Sequence, residues 1–425
     1  VPAAFNNLIG HKPSCGALST RGVVPACRSL DAVSIFALTA EDAERVLAVA
    51  AGFDTEDEYS LPLAPYGFDF GRAPNFRFGV PMAKDLEFFG NTEAERLFSE
   101  AVERLRTLGG TPVAVDLAPF LETARLLYGG PWVAERYLAI RDFFDAHSDK
   151  VFPPVREIIA GGRDISAADT FDHLYKLRAA KRICDAVWDD IDVMITPTAG
   201  TIYRVEQLQA DPIRLNSNLG YYTNFMNLLE LAATAVPAGF QNDGLPFGIT
   251  LIAPPHQDAP LLHLASRMQQ ALGGKLGATS HPLAPAEPLK LLPDGQVRVA
   301  VVGAHLSGLP LNHQLTERNA RLVATTQTAP TYRLYVLPDG KRPGLIQVQE
   351  GGAAIACEVW EMPASQFGSF VAGIPAPLGI GKLKLVDGSC VNGFICEGIG
   401  VADAQDITGY GGWRAWLAGR VLIVP

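Results

Sequence analysis

Residues 273–295, GGKLGATSHPLAPAEPLKLLPDG, are rich in Gly and Pro and carry neither helical nor strand periodicity. No continuous core runs through such a stretch. It divides 425 residues, already too many for one ordinary core, into a first domain over 1–272, a linker over 273–295 and a second domain over 296–425. The two sides are patterned differently. Before the break, helices and strands alternate. ALTAEDAERVLAVAAG predicts a helix over 37–52, with Thr39 as cap, Asp42 three residues on, Val46, Leu47 and Val49 as its apolar stripe, and Gly52 as its stop. A second helix is expected over 91–108, burying Leu97, Ala101, Leu105 and Leu108. Strands are expected within 79–90, 111–120 and 192–203, and a hairpin over 242–254. This alternation predicts an α/β sheet covered on both faces. After the break come short β-rich runs between Gly/Pro turns, among them TYRLYVLP, AIACEVWEM, GKLKLVDGSCVNGFIC and WLAGRVLIV, with little helical pattern. They predict a small β-rich, barrel-like domain.

Composition narrows the function classes. At 48% hydrophobic and 19% charged residues the chain is globular. A net charge of -10, with no Lys/Arg cluster, argues against nucleic acid or an acidic membrane surface as partner. There is no apolar run of spanning length, and no secretory signal is expected. Cys15, Cys27, Cys184, Cys357, Cys390 and Cys396 form no C-x-x-C pair and lie at no metal-ligand spacing with His. They read as reduced, buried thiols of a cytoplasmic protein, with no metal site.

The opening segment, VPAAFNNLIGHKPSCGALSTRGVVPACRSLD, resembles the stretch that follows the nucleophile in amidase-signature hydrolases. Pro2, Ala3, Phe5, Gly10, Lys12, Pro13, Ser19, Gly22, Pro25, Ser29, Leu30 and Asp31 fit in register. VPAGFQNDGLPFGITLIAP and HQDAPLLHLASRMQQAL resemble the closing hairpin and last helix of that family. Two further stretches resemble the allophanate hydrolases within it: LLYGGPWVAERY, 126–137, and the trailing domain that begins VVGAHLSGLPLNHQL. The trailing domain also resembles the gamma-glutamylcyclotransferase-like fold. The resemblance implies a mixed amidase-signature sheet covered by helices, its N-terminal part lying outside this chain. It implies amide hydrolysis by a Lys–Ser–Ser relay, in which a base activates an otherwise weak hydroxyl while backbone amides stabilise the oxyanion. In the family all three relay residues precede the position of Pro2, so the chain is expected to be a fragment, inactive by itself. Lys12, Ser14 and Ser19 lie close enough in sequence to suggest a substitute pair, but turn chemistry accounts for them.

Allophanate is a urea bearing a carboxylate, which calls for a forked cation and a neutral hydroxyl. Tyr128 and Arg136 are the candidates. Pro131 suits the first turn of a helix, so Tyr128 is expected just before that helix and Arg136 two turns into it, on similar faces. The competing reading pairs Arg136 with Asp142 or Glu135 and leaves Tyr128 in the core. The resemblance assigns both residues to the substrate carboxylate. Asn216, Asn218, Tyr222 and Asn224 either line the cleft or satisfy buried backbone.

In the second domain His305 follows the VAVV strand in Gly-Ala-His-Leu-Ser-Gly, where a proton-carrying side chain is well placed. His313 follows eight residues later, and Tyr332, a substrate-binding candidate, opens the next strand. Glu358 lies where the cyclotransferase-like fold carries an acid/base Glu. The resemblance implies that His305 and Glu358 act on the first product, N-carboxycarbamate, to release carbon dioxide. The expected function is therefore conversion of allophanate to ammonia and carbon dioxide by a homo-oligomeric enzyme with no cofactor, in urea or cyanuric acid breakdown. The alternatives are a non-catalytic assembly module and another amidase, such as a tRNA-dependent amidotransferase component. The trailing domain and YGGPWVAER argue against the latter.

Overall fold

The computed structural model describes residues 1–62, 68–285 and 295–421. The chain divides into two compact units. One is built from Val1–Ala64 and Phe70–Glu287, the other from Pro288–Pro425 with Pro65–Asp69.

The first unit is organised on a seven-stranded mixed sheet in the order β2-β1-β6-β7-β5-β3-β4. Its strands are β1 (Ile9–Lys12), β2 (Ile35–Ala37), β3 (Phe76–Pro81), β4 (Gly110–Val115), β5 (Val193–Pro197), β6 (Ala232–Phe240) and β7 (Pro246–Ala253). β3 pairs in parallel with β4 and β5, and the remaining pairings are antiparallel. β6 and β7 form a hairpin, but the expected range 242–254 holds only part of its turn and β7, the first strand lying upstream of it. AATAVPAGF is buried along almost its whole length, as a strand covered on both faces should be. Pro237 cannot donate to the ladder, and the register shifts between Pro237 and Gly239, where a bulge tolerates it.

Small residues bring the start of the chain onto the middle of this sheet. α1 (Pro2–Phe5) lays Ala3 and Ala4 against the strands, both almost fully buried. A Cβ on Gly10 would come within 2.5 Å of the Ala3 Cβ, and one on Gly248 within 2.7 Å of the Ala4 Cβ. Glycine at both positions is what permits this approach.

α2 (Ala40–Ala50) begins as expected, with the Thr39 hydroxyl accepting from the Asp42 amide at 3.1 Å. Its buried face differs from the expected one. Ala40, Ala43 and Leu47 face inward, while Val49 is 89% exposed and Val46 49%. α3 (Thr92–Thr107) buries Leu97, Ala101 and Leu105 as its periodicity predicts. The strand expected over 111–120 ends at Val115, and Ala118–Phe120 already belongs to α4 (Ala118–Gly129), whose Pro119 falls in the first turn. α5 (Trp132–Ala139) follows after Gly130 and Pro131. Part of the 273–295 stretch is ordered: Lys275 pairs with Pro282, and the Asn7 side-chain amide donates to the Gly277 carbonyl at 3.0 Å. Residues 286–294 lie outside the described residues.

The second unit contains a five-stranded sheet, β13-β14-β8-β12-β9, and a three-stranded sheet, β11-β10-β15. The strands are β8 (Gln296–Val301), β9 (Arg321–Gln327), β10 (Tyr332–Val336), β11 (Pro343–Gln347), β12 (Ala356–Pro363), β13 (Leu378–Lys384), β14 (Cys390–Cys396) and β15 (Gln405–Asp406). They enclose one core, containing Val299, Val301, Leu334, Val359, Met362 and Leu383. Of the run WLAGRVLIV, expected to be β-rich, residues 416–421 belong instead to helix Trp413–Val421, and 422–424 lie outside the described residues. Trp413 and Trp416 stack on one another inside the core, which an alternating strand would not allow.

Candidate functional site

Tyr128 and Arg136 meet, though not as residues sharing one helix. Tyr128 sits in the last turn of α4, the chain reverses at Gly130, and Arg136 lies in α5. A side chain at Gly130 would strike the Leu126 carbonyl and the His173 ring, at 2.6 and 2.9 Å from its Cβ, so the reversal needs glycine. The Arg136 guanidinium lies over the Tyr128 ring at 4.9 Å. Tyr128 is 43% exposed, not core. The carboxylates proposed as competitors are engaged elsewhere: Glu135 accepts from the Ser29 amide and hydroxyl at 2.7 and 2.6 Å, and Asp142 faces Arg141. Among the described residues Arg136 has no ion-pair partner, and its Nε donates to the Cys27 sulfur at 3.2 Å.

Both residues border a cleft of about 390 Å³. Val1, Pro2, Lys12, Cys27, Asn224 and Asn227 also line it, as do Thr250 of β7 and Thr198 just past the end of β5. The side chains anticipated for substrate thus share one cavity with the segment that follows the family's nucleophile. A half-buried guanidinium whose outer N–H groups meet no carboxylate is suited to receive one, in two parallel hydrogen bonds.

The end of β1 and the Pro13-Ser14 segment after it are held by a buried knot. Asp258, 5% exposed, accepts from the Ser14 amide at 2.8 Å, the Ser14 hydroxyl at 2.6 Å and His11 Nε2 at 3.2 Å. His11 Nδ1 contacts the Thr234 hydroxyl at 2.9 Å. Burial raises the Asp258 pKa, but His11 and Ser14 more than offset it and hold the carboxyl at about 2. The Ser14 hydroxyl also accepts from the His256 amide at 2.6 Å. Ser19 donates to Asp54 at 2.7 Å. Lys12 donates to the Pro13 carbonyl at 2.7 Å and approaches Cys15 Sγ at 3.8 Å; burial lowers its pKa. Lys12 ends β1, paired with Ala233, instead of lying in a turn; Ser14 and Ser19 hold the loop that follows, and among the described residues no hydrogen bond joins Lys12 to either serine.

The polar cluster at 214–227 divides. Asn224 reaches the cleft. Tyr222 is buried, its hydroxyl accepting from the Glu87 amide at 2.6 Å, and Asn218 donates to the Tyr203 hydroxyl at 2.8 Å. Asn216 borders a separate apolar cavity. Cys27 and Asn227 carried no sequence signal, since their partners are remote: Arg136 is 109 residues from Cys27, and the Leu30 carbonyl 197 from Asn227.

In the second unit His305 stacks on Phe394 at 4.9 Å and meets Phe370 edge-on at 5.4 Å. Its Nε2 bonds the Gln314 side chain at 3.0 Å. Burial among these rings lowers its pKa below 6.5, favouring the neutral imidazole. Glu358 is 5% exposed and both its oxygens are occupied. Oε2 accepts from the Ser307 amide, the Ser307 hydroxyl and Trp360 Nε1 at 2.8, 2.9 and 3.1 Å, and Oε1 from Arg414 at 2.8 Å. His313 is bound to the Pro310 carbonyl at 2.9 Å. Tyr332 lies in the core at 1% exposure, and its hydroxyl accepts from the Lys384 amide at 2.9 Å. Among the described residues no group of three or more His, Cys, Asp or Glu is placed to hold a metal ion, and no helix is long and apolar enough to cross a membrane.

Comparison with known proteins agrees with this layout. The amidase family model matches residues 1–262, and that of the allophanate hydrolase C-terminal domain residues 297–418. The chain is 42% identical over 435 residues to urea amidolyase of Saccharomyces cerevisiae, covering 98% of this chain and 24% of that protein. The chain therefore spans about a quarter of the length of the urea amidolyases it matches. It is 41% identical to the solved Kluyveromyces lactis allophanate hydrolase, covering 99% of this chain and 71% of that one, with a TM-score of 0.72. The solved 6-aminohexanoate cyclic dimer hydrolase shares the fold alone, at 20% identity over 64% of this chain and 62% of that one, with a TM-score of 0.53. With an amidase unit and this C-terminal domain in one chain, and a cleft wall built from Tyr128 and Arg136, the chain belongs to the allophanate hydrolase family of amidases.

Proposed function

We propose that this chain provides the substrate-holding wall of an allophanate hydrolase and the domain that processes its first product. The supporting observation is the guanidinium of Arg136, lying over Tyr128 and meeting no carboxylate among the described residues, in the cleft that the Pro2–Phe5 segment borders. In this reading the serine hydroxyl, supplied by the segment that precedes Pro2 in the family, attacks the terminal urea carbonyl. Ammonia leaves, and water releases N-carboxycarbamate from the acyl-enzyme. Arg136 holds the far carboxylate throughout, so its binding energy fixes the carbonyl against the nucleophile. The family's link to urea amidolyases supports a place in urea breakdown. The reading includes a cytoplasmic homodimer, which the exposed apolar Phe171 and Tyr175 on helix Ala167–Asp185 support.

The second unit, in the same reading, takes N-carboxycarbamate to carbamate and carbon dioxide. His305, kept neutral by its aromatic surroundings, accepts or returns the proton. Glu358 serves by tying the Ser307 end of the His305 loop to β12. In the full-length enzyme His305→Ala is expected to leave release of the first ammonia per allophanate within about twofold, while carbon dioxide release slows about 100-fold or more, the usual reach of one acid/base group. Stopped-flow detection of both products measures this. Matched slowing of the two would tie His305 to the amidase step, and unchanged carbon dioxide kinetics would remove its chemical role.

A further inference from the structure

The cleft wall has a third member. Arg136 Nε donates to Cys27 Sγ at 3.2 Å, and the thiol donates onward to the Trp132 carbonyl at 3.4 Å. A ring stacked on a guanidinium fixes its plane but leaves it free to turn within that plane. A hydrogen bond along the Nε edge removes that freedom and leaves the outer N–H groups for a ligand. We propose that Cys27 is a positioning residue that aims the outer edge of Arg136 at the substrate carboxylate, and so sets the preference for anionic over neutral amides. This inference rests on the reading of Arg136 as the carboxylate site.

The surroundings of Cys27 are arranged to hold the sulfur in place. Its amide donates to Asp31 Oδ1 at 3.1 Å, and the Ala26 amide to Oδ2 at 2.9 Å. Ser29 is bound to Glu135, one residue from Arg136, and the Leu30 carbonyl accepts from Asn227 at 2.9 Å. Two carboxylates thus lie close by, and both are spent on this loop, not on the guanidinium. The acceptor at Arg136 is therefore a neutral one. Burial raises the thiol pKa, so the sulfur stays uncharged. A carboxylate in its place would hold Arg136 as firmly but would cancel its charge and repel the substrate. A neutral, polarisable acceptor orients the cation and leaves its charge available.

The test uses the full-length enzyme with its nucleophilic serine replaced by alanine, so that amides are not turned over, and two ligands, malonamate and its neutral counterpart malonamide, with dissociation constants measured by calorimetry. The wild type is expected to prefer malonamate, and Arg136→Ala to lose that preference. Cys27→Ala should weaken malonamate about three- to tenfold, the range of one lost hydrogen bond, with malonamide unchanged. Cys27→Ser, which restores a neutral acceptor, should recover malonamate binding to within about twofold. Cys27→Asp should abolish the preference altogether. If Cys27→Ala keeps the full preference while Arg136→Ala loses it, the inference fails and the carboxylate site stands. Equal weakening of both ligands by Cys27→Ala would mean a merely structural role and would also overturn it. If Arg136→Ala itself keeps the preference, both readings fall.

Discussion

In the full-length enzyme Arg136→Ala is expected to lower kcat/KM for allophanate by about 100- to 1,000-fold, because in the proposed reading it removes two charge-assisted hydrogen bonds worth about 1.5–3 kcal/mol each that combine less than additively. Biuret has the same length and shape but ends in a neutral amide. Its kcat/KM changes by less than about threefold, since it never used the charge. Arg136→Lys falls between, about tenfold down on allophanate, because a point charge lacks the planar fork and stacks poorly on Tyr128. Steady-state kinetics with both substrates decides the matter: equal losses on allophanate and biuret would show that Arg136 supports the structure and not the substrate.

Asp258→Ala carries the largest expected effect on stability. The carboxylate is buried, accepts three hydrogen bonds, and joins β1 and the Pro13-Ser14 segment after it to the helix Asp258–Leu272. Its removal leaves His11 and the Ser14 amide without their acceptor inside the fold. The expected loss is about 3–5 kcal/mol, measured by urea unfolding of the amidase unit. The pH dependence has a definite sign. The folded carboxyl titrates at about 2, below its ordinary 3.8. Its contribution is therefore complete above about pH 4 and is lost as pH falls toward 2. The Ala variant should show a flatter acid limb. A variant as acid-sensitive as the wild type would show that other carboxylates govern acid unfolding.

Some of this structure was legible in the sequence, and the rest was hidden for definite reasons. The cap at Thr39 located α2 correctly, but hydrophobicity misled on its inner face. The helix packs close to its neighbours through Ala40 and Ala43, so its valines turn outward. Tyr128 and Arg136 were paired correctly, yet by the wrong geometry: the reversal at Gly130 brings two helices together, where a count of 100° per residue assumed one. Glu358 was legible as a functional candidate. Its fourfold engagement was not, because besides the nearby Trp360 the donors come from Ser307 and Arg414, 51 and 56 residues away along the chain. Cys27 shows the same limit most clearly. A thiol in a loop carries no pattern, and its meaning comes only from the guanidinium that folding sets beside it.

Central to the proposed function is the proposed seating of the substrate carboxylate on Arg136 and Tyr128. Lys12 is the rival cation, since it lines the same cleft. A crystal structure of the full-length enzyme with malonamate bound distinguishes them directly. The carboxylate is expected within about 3 Å of the outer nitrogens of Arg136 and beside the Tyr128 hydroxyl, with the amide carbonyl turned toward the Pro2–Phe5 segment. A carboxylate seated on Lys12, with Arg136 left solvated, would contradict it.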